Sequence, residues 1–415
     1  MEKKEKKIIY INLDGFSYSY YEKLKKENQH SIIEKLKEEG LFFSNLHSGL
    51  ISITNPMQSA ILCGAWSNKT HNFYQHFDKE KREVVKHKRK FDAQNIGNLF
   101  VEKGKNICSI HQFMLENNPC VEGDFHRAYF KAEKEHSNYF DRFSILKKIL
   151  RKEEVVSGDK RIRYTEIPDF IALYIDDLDS LGHNNDYEEY KADTNPENRF
   201  LAISERIKLI FKEIDEVVSI LKEEKIFDDF IILITTDHGM TPFYGKSMLN
   251  TLKNEINMMG IKTSLKDEVT NDTEIVLLEY TIECSLYYLK EISIEKEKKL
   301  INLLNSLNFI NNVLDKNTMM QEYGLADYGP DLLVCPKAGY HFYHRDFETI
   351  YGASHDSLDE SSQHIFGLIL SSNVNKYEDN DLIYSIDLLP TILKCNNNLK
   401  LKDSYGKIYN NWFKE

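Results

Sequence analysis

Three short runs are apolar almost throughout: Ile8–Leu13, Phe170–Ile175 and Phe230–Ile234. A strand with one face in water alternates polar and apolar residues, so runs without alternation predict strands covered on both faces, as in a parallel sheet between helical layers. Each run ends on acidic or histidine-bearing residues: Asp14-Gly15, Asp176-Asp177-Leu178-Asp179, and Thr235-Thr236-Asp237-His238-Gly239. Helical periodicity fills the intervals, at Tyr20–Glu39 (stopping at Gly40), Asn95–Glu102 and Phe200–Glu224, and strands are predicted at Leu41–Phe43 and Ile107–His111. Alternating strands and helices are the mark of an α/β fold with a mainly parallel sheet.

Two stretches break the rhythm. Residues 112–167 are charged and aromatic, and residues 241–329 mix helix and strand patterns, so both read as insertions in a single domain spanning 1–415. The core is expected to resume at Asp331–Cys335 and Ile365–Leu370. A closing helix is expected at Asp387-Leu-Leu-Pro390, with Asp387 as N-cap and Pro390 in the first turn. The basic run Lys147–Lys152 reads as a solvated helix face.

Lys and Arg total 54 against 66 Asp and Glu, a formal charge of −12. That balance excludes a general nucleic-acid binder. No run approaches the roughly 18 apolar residues of a membrane span. Ile8–Ile11 is too short for a signal core. The cysteines at 63, 108, 120, 284, 335 and 395 show no CxxC spacing, so they read as reduced thiols of a cytoplasmic protein without a thiolate zinc site.

Chemistry concentrates beside the strands. Thr54 follows the turn-prone Ser48–Ser52 and precedes the apolar Met57–Cys63, with Pro56 in the first turn of a predicted helix. A hydroxyl there sits where free N–H groups and the helix dipole favour an anion. Asp14, Asp179 with His183, Asp237 with His238, and His355 all flank predicted strands. Ligand sites in open parallel sheets gather at the carboxyl ends of strands, so residues this far apart in sequence can converge. Taken singly, each match is an ordinary turn, surface loop or cap. Together, three aspartates, three histidines and a threonine oxygen make a donor set suited to two divalent ions such as Zn²⁺ or Mn²⁺.

The order Asp-Gly, Thr-x-Pro, "DLDSLGH", "TTDHGM" and a late His355 resembles the alkaline phosphatase superfamily, and most closely its nucleotide pyrophosphatase/phosphodiesterase branch. Leu62-Cys-Gly64, Asn68-Lys-Thr-His71, Gly329-Pro-Asp-Leu-Leu-Val334, Gly339-Tyr340 and Asp387-Leu-Leu-Pro-Thr-Ile-Leu393 add to the likeness. The resemblance implies a three-layer α/β/α alkaline-phosphatase-like core with a mostly parallel sheet and two inserted cap segments. It implies that Asp14, Thr54, Asp237 and His238 hold one metal ion and that Asp179, His183 and His355 hold the other. Thr54 would be the nucleophile, passing through a phospho-threonine, and Zn²⁺ is preferred over Mn²⁺ only through the resemblance. The substrate would be a small-molecule phosphoester.

Three departures stand out. Asn55 replaces the aromatic residue that commonly follows the nucleophile and stacks on a nucleotide base. His76 falls where the branch has a phosphate-binding asparagine, so Asn55 and His76 are taken as substrate contacts. Asp356 replaces the usual glycine after the last ligand histidine. His341 and His344 are rivals to His355. A sulfatase is excluded, because Thr54 cannot become formylglycine and Gln58 stands where the required arginine would be. The alternatives on the same fold are a phosphomonoesterase, a phosphonate hydrolase or a phosphomutase. Arg345 is the only arginine weighed as an extra phosphate contact. A non-catalytic phospholigand sensor is the remaining class.

Overall fold

In the computed structural model, which describes residues 5–87, 91–131, 139–343 and 350–414, the three apolar runs become neighbouring strands. Lys7–Leu13 lies between Phe230–Thr235 and Phe170–Ile175 and runs parallel to both, with Ile9 opposite Ile232 on one side and Ile171 on the other. Ile107–Ile110 and Arg127–Phe130 continue the sheet in the same direction. On the other flank, His364–Leu370 runs antiparallel to Phe230–Thr235 and to Gly40–His47. Two short strands, Glu378–Asp379 and Ile383–Tyr384, complete a nine-stranded sheet.

Burial explains the unbroken apolar runs. Ile9, Ile11 and Leu13 face one helical layer, built from Tyr18–Lys26, Ser31–Lys37, Tyr139–Leu150 and Pro196–Glu223. Ile8 and Tyr10 face the other, built from Thr54–Cys63, Ile96–Glu102 and Ser385–Ile392. Each fully buried Ile or Leu contributes about 1.5–3 kcal/mol, and every residue of Ile8–Leu13 is buried. The α/β/α architecture is therefore as predicted.

The single reversed strand matters for function. Because His364–Leu370 opposes its neighbours, its amino end lies at the edge where the parallel strands end. His355, which precedes it, is thereby delivered to the same edge as Asp14, Asp179 and Asp237.

Several local expectations are corrected. Tyr20–Glu39 is two helices, Tyr18–Lys26 and Ser31–Lys37, because Asn28 adopts a left-handed conformation with φ 54° and stops the first. Arg127–Phe130, inside the stretch read as an insertion, is an outer strand of the central sheet. Leu332–Pro336, expected to resume that sheet, instead pairs with Cys284–Tyr288 and Ile310–Asp315. It belongs to a separate five-stranded sheet with Thr263–Leu265 and Ile275–Glu279, which packs on helices Leu249–Met258 and Ile294–Ser306. An apolar run buried on both faces reads the same in either sheet. Asp387 lies inside the last helix, where its carboxylate accepts the Tyr384 N–H at 3.0 Å, and Pro390 sits in the helix body. Lys147, first of the basic run, pairs with Glu213 and Glu216 of the long helix. No helix among the described residues is long and apolar enough to cross a membrane.

One glycine ties the fold to the site. Gly15 has φ +77°, and a Cβ there would lie 2.9 Å from the Asp179 Cα. The loops after two neighbouring strands touch only because that side chain is missing. Gly15→Ala is expected to cost about 1–3 kcal/mol and to weaken divalent-metal binding, read by thermal melts with and without added Zn²⁺. A variant as stable as the parent in both would contradict this role.

Candidate active site

Thr54 opens the Thr54–Cys63 helix, with Ile53 as N-cap and Gly64 ending it in the left-handed conformation. Pro56 in the first turn gives up no intrahelical bond, and Thr54 and Asn55 at that helix start line the cleft. Asp14 follows the Lys7–Leu13 strand and is fixed by its own N–H to Ile175 O at 2.8 Å. Asp179 and His183 were read as flanking a turn. They stand on one face of the short helix Asp177–Gly182 and its cap, four residues apart, with His183 Nε2 3.3 Å from Asp179 Oδ1. Asp237 and His238 leave the Phe230–Thr235 strand, where Gly239 is required for close approach: a Cβ there would lie 2.1 Å from Ser361 O.

These side chains converge. His238 Nε2 is 3.1 Å from Thr54 Oγ1, 3.3 Å from Asp14 Oδ1 and 3.9 Å from Asp237 Oδ1. His355 Nε2 is 3.7 Å from Asp179 Oδ1, and its ring stacks on His238 with centroids 3.7 Å apart. Two groups have ligand atoms all within 4.8 Å of one another: Asp14 with Asp237 and His238, and Asp179 with His238 and His355. His238 thus stands between the groups, and His183 joins the second through Asp179.

The imidazole tautomers are set from behind. Nδ1 of His183 faces Ala353 O at 2.9 Å, Nδ1 of His355 faces Ser52 O at 2.9 Å, and Nδ1 of His238 faces Gly239 O at 3.1 Å. A carbonyl only accepts, so each Nδ1 carries a proton, and in its neutral form each ring aims the Nε2 lone pair into the site. This is the outer-shell arrangement of metal-ligating histidines. The carboxylates are held likewise: Tyr174 donates its hydroxyl to Asp14 Oδ2, and Gln58 Nε2 donates to Asp237 Oδ2 at 2.9 Å. Asp14 Oδ1 and Asp179 Oδ1 are buried and accept no hydrogen bond. Lone pairs facing buried carboxylate oxygens repel unless a cation lies between them, so this donor set fits divalent metal ions.

The charge balance of the bare protein says the same. Burial drives the Asp14 and Asp237 carboxyls above the ordinary range, and for Asp14 the neighbouring Asp237 and Asp179 add to it. Burial alone would also raise Asp179, but His183 and His355 pull it below the usual carboxylate range. Burial opposes protonation of His183, yet Asp179 outweighs it and holds the imidazole up at about 9. Burial holds His238 down at about 4 and His355 at about 3.

The cluster opens into a cleft of about 830 Å³ lined by Thr54 and Asn55 on one side and by Tyr74, Gln75, Lys86 and Tyr280 on the other. Asn55 lines the cleft. His76 is not among its lining residues. Its Nδ1 faces His87 Nε2 at 2.7 Å, and His87 in turn is tied by Nδ1 to His71 O at 2.7 Å. On the Gln75–Asp78 strand the residue next to His76, Gln75, lines the cleft instead. His341 is buried against Phe243 with Nε2 near Gly245 O, away from the cluster. His344 and Arg345 lie outside the described residues. Sequence reasoning missed Tyr174, Gln58, Lys86 and Tyr280. Only Gln58 left a signal, one helical turn after Thr54.

Comparisons with known proteins agree with this geometry. Residues 8–358 match the family model for type I phosphodiesterase/nucleotide pyrophosphatase. No curated protein matches the sequence. Among solved structures, inactive murine ectonucleotide pyrophosphatase/phosphodiesterase 5 in complex with AMP is similar in fold, with a TM-score of 0.66 at 14% identity, covering 97% of this chain and 98% of that one. The human counterpart gives a TM-score of 0.66 at 15% identity, covering 97% of both chains. The chain belongs to the type I phosphodiesterase/nucleotide pyrophosphatase family of the alkaline phosphatase superfamily, and is a phosphoester hydrolase.

Proposed function

We propose that this protein is a two-metal phosphodiesterase of nucleotide pyrophosphatase type, with Thr54 as its nucleophile. The observation that carries the reading is the convergence of Asp14, Asp237 and His238, and of Asp179, His183 and His355, beside the Thr54 hydroxyl. Two divalent ions held there, with Zn²⁺ favoured by the nitrogen-rich half, would lower the pKa of an oxygen nucleophile and screen the charge of the phosphoryl group. The chain's own residues supply the rest. The helix start holds Thr54 Oγ1 at the cleft, 3.1 Å from His238 Nε2, and with its pKa lowered by the bound ions the hydroxyl would release its proton to solvent in the cleft. A helix N-terminus at that point favours an anionic phosphoryl group. Attack by Oγ1 on phosphorus would expel the leaving alkoxide and leave phospho-Thr54, which water then hydrolyses.

A second reading rests on one observation. Lys86 lines the cleft and has no ion pair among the described residues, and Lys266 lines it while paired with Glu279 at 2.6 Å. A lysine on the cleft wall also suits a substrate with a second anionic group, either a pyrophosphate or a phosphomonoester. The AMP bound to the murine structure is compatible with both. The reducing compartment remains a proposal, supported by six thiols that form no disulfide.

Thr54→Ala should reduce hydrolysis of bis-(p-nitrophenyl) phosphate by about 10³-fold or more while metal content stays near that of the parent. Retained turnover would remove Thr54 from the mechanism. Lys86→Ala should raise KM for a pyrophosphate-linked or monoester substrate by about 3–10-fold, with bis-(p-nitrophenyl) phosphate little changed. An equal loss on both would assign Lys86 to folding instead.

Metal binding should also release protons. The ligating form of His183 is neutral, yet near pH 7.5 the bare protein holds it protonated, with its pKa near 9. Calorimetric Zn²⁺ titrations in buffers of different ionisation heat should therefore show about one proton released per chain, or more, at pH 7.5 and fewer above pH 9. For the metal-free fold the signs differ by residue. His183 titrates at 6.5 when unfolded and near 9 when folded, so its stabilisation is complete below 6.5 and is lost as pH rises through 9. His238 and His355 titrate near 4 and 3 when folded, so they destabilise the fold as pH falls below 6.5.

A further inference from the structure

Asp356, the residue after His355, is 1% exposed and binds two parts of the molecule at once. Its Oδ2 accepts three successive N–H groups, from Thr281 at 2.9 Å, Ile282 at 2.6 Å and Glu283 at 3.0 Å. Its Oδ1 accepts the Ser354 hydroxyl at 2.9 Å. In return Glu283, also 1% exposed, accepts the Leu358 N–H through Oε1 at 3.0 Å. Each carboxylate caps the other segment's backbone. Residues 281–283 form the turn between the Ile275–Glu279 and Cys284–Tyr288 strands of the five-stranded sheet. Residues 354–358 form the loop that carries His355.

That turn supports the far wall of the cleft. Tyr280 and Thr281 line it directly. Gln75 Nε2 donates to Glu279 O at 3.1 Å, and the Tyr280 hydroxyl donates to Gln75 O at 3.3 Å, so the Gln75 wall hangs on the same strand end. On the near side, His355 Nδ1 is bonded to Ser52, two residues before Thr54. The buried Asp356 carboxylate, with Glu283 in return, therefore ties the loop that carries His355 to the wall opposite. Three amides converging on one oxygen form an anion-binding turn that only an acceptor at that point satisfies.

We infer that Asp356 is a substrate-positioning residue: it seats the Tyr280–Thr281 wall against the part of a substrate that extends beyond the phosphoryl group. This rests on the phosphoester-hydrolase reading of the same cleft. It requires that loss of Asp356 harm ligands that reach the wall and spare those that occupy only the phosphoryl site.

The test is calorimetric binding of AMP and of inorganic phosphate to the metal-loaded protein. Asp356→Ala should weaken AMP about 10-fold and phosphate less than about 2-fold, with metal content as in the parent. Asp356→Asn should restore AMP binding, because its amide oxygen still accepts the three N–H groups and Ser354 can turn to accept. Should Asp356→Ala fail to fold, Ser354→Ala frees the other carboxylate oxygen and should show the same split at about 3-fold. Parallel loss of AMP and phosphate, or loss of metal, would show that Asp356 acts through His355 and overturn the inference. So would AMP binding unchanged in the alanine variant. Turnover of bis-(p-nitrophenyl) phosphate by the parent protein tests the hydrolase reading separately, and a parent that binds neither ligand overturns both.

Discussion

Three carboxylates within reach of one another, Asp14 and Asp237 buried and Asp179 partly so, with no lysine or arginine paired to them among the described residues, are the constraint on which the rest of the structure depends. Asp14, Asp179 and Asp237 end or follow adjacent strands, and their ion-pair partners are the imidazoles of His183, His238 and His355. Burying such a cluster is expensive unless positive charge meets it. His238 and His355 commit Nδ1 to backbone carbonyls and, kept neutral by burial, present Nε2 lone pairs to the cluster, whereas Asp179 favours the protonated form of His183. Divalent cations, as in the proposed function, would complete such a donor set, and the fold around it holds those side chains in place.

That apparatus works at three levels. The parallel strands bring the three aspartates to one edge, and the single antiparallel strand returns His355 to it. Small residues then permit the close approaches: Gly15 against Asp179, and Gly239 against the Ser361 backbone. Hydrogen bonds from Tyr174, Gln58 and the backbone carbonyls finally orient the ligand atoms. Loss at any level moves the donors by fractions of an ångström, which a metal site tolerates poorly.

Much of this was legible in the sequence, for identifiable reasons. The runs around Ile8, Phe170 and Phe230 are apolar on both faces, which leaves few alternatives to central parallel strands. The chemistry-bearing residues directly follow those strands, so finding the strands found Asp14, Asp179, Asp237 and His238. Other features left no such trace. Leu332–Pro336 has the same buried pattern but pairs in the second sheet, and periodicity cannot say which sheet a buried strand joins. His76 and Gln75 are adjacent on a strand, so their side chains point to opposite faces, and an alignment uncertain by one residue exchanges a cleft residue for one that faces away. Tyr174 was hidden within an apolar strand. Asp356 was visible as a departure from the family pattern, but its meaning came only from the Thr281–Glu283 turn far away in sequence.

The most direct measurement of the central claim is elemental analysis of the purified protein, paired with bis-(p-nitrophenyl) phosphate turnover before and after chelation. The account predicts about two divalent ions per chain, activity lost with the ions, and activity recovered when Zn²⁺ or Mn²⁺ is returned. A protein that holds no metal and hydrolyses the diester equally well with and without chelator would contradict it.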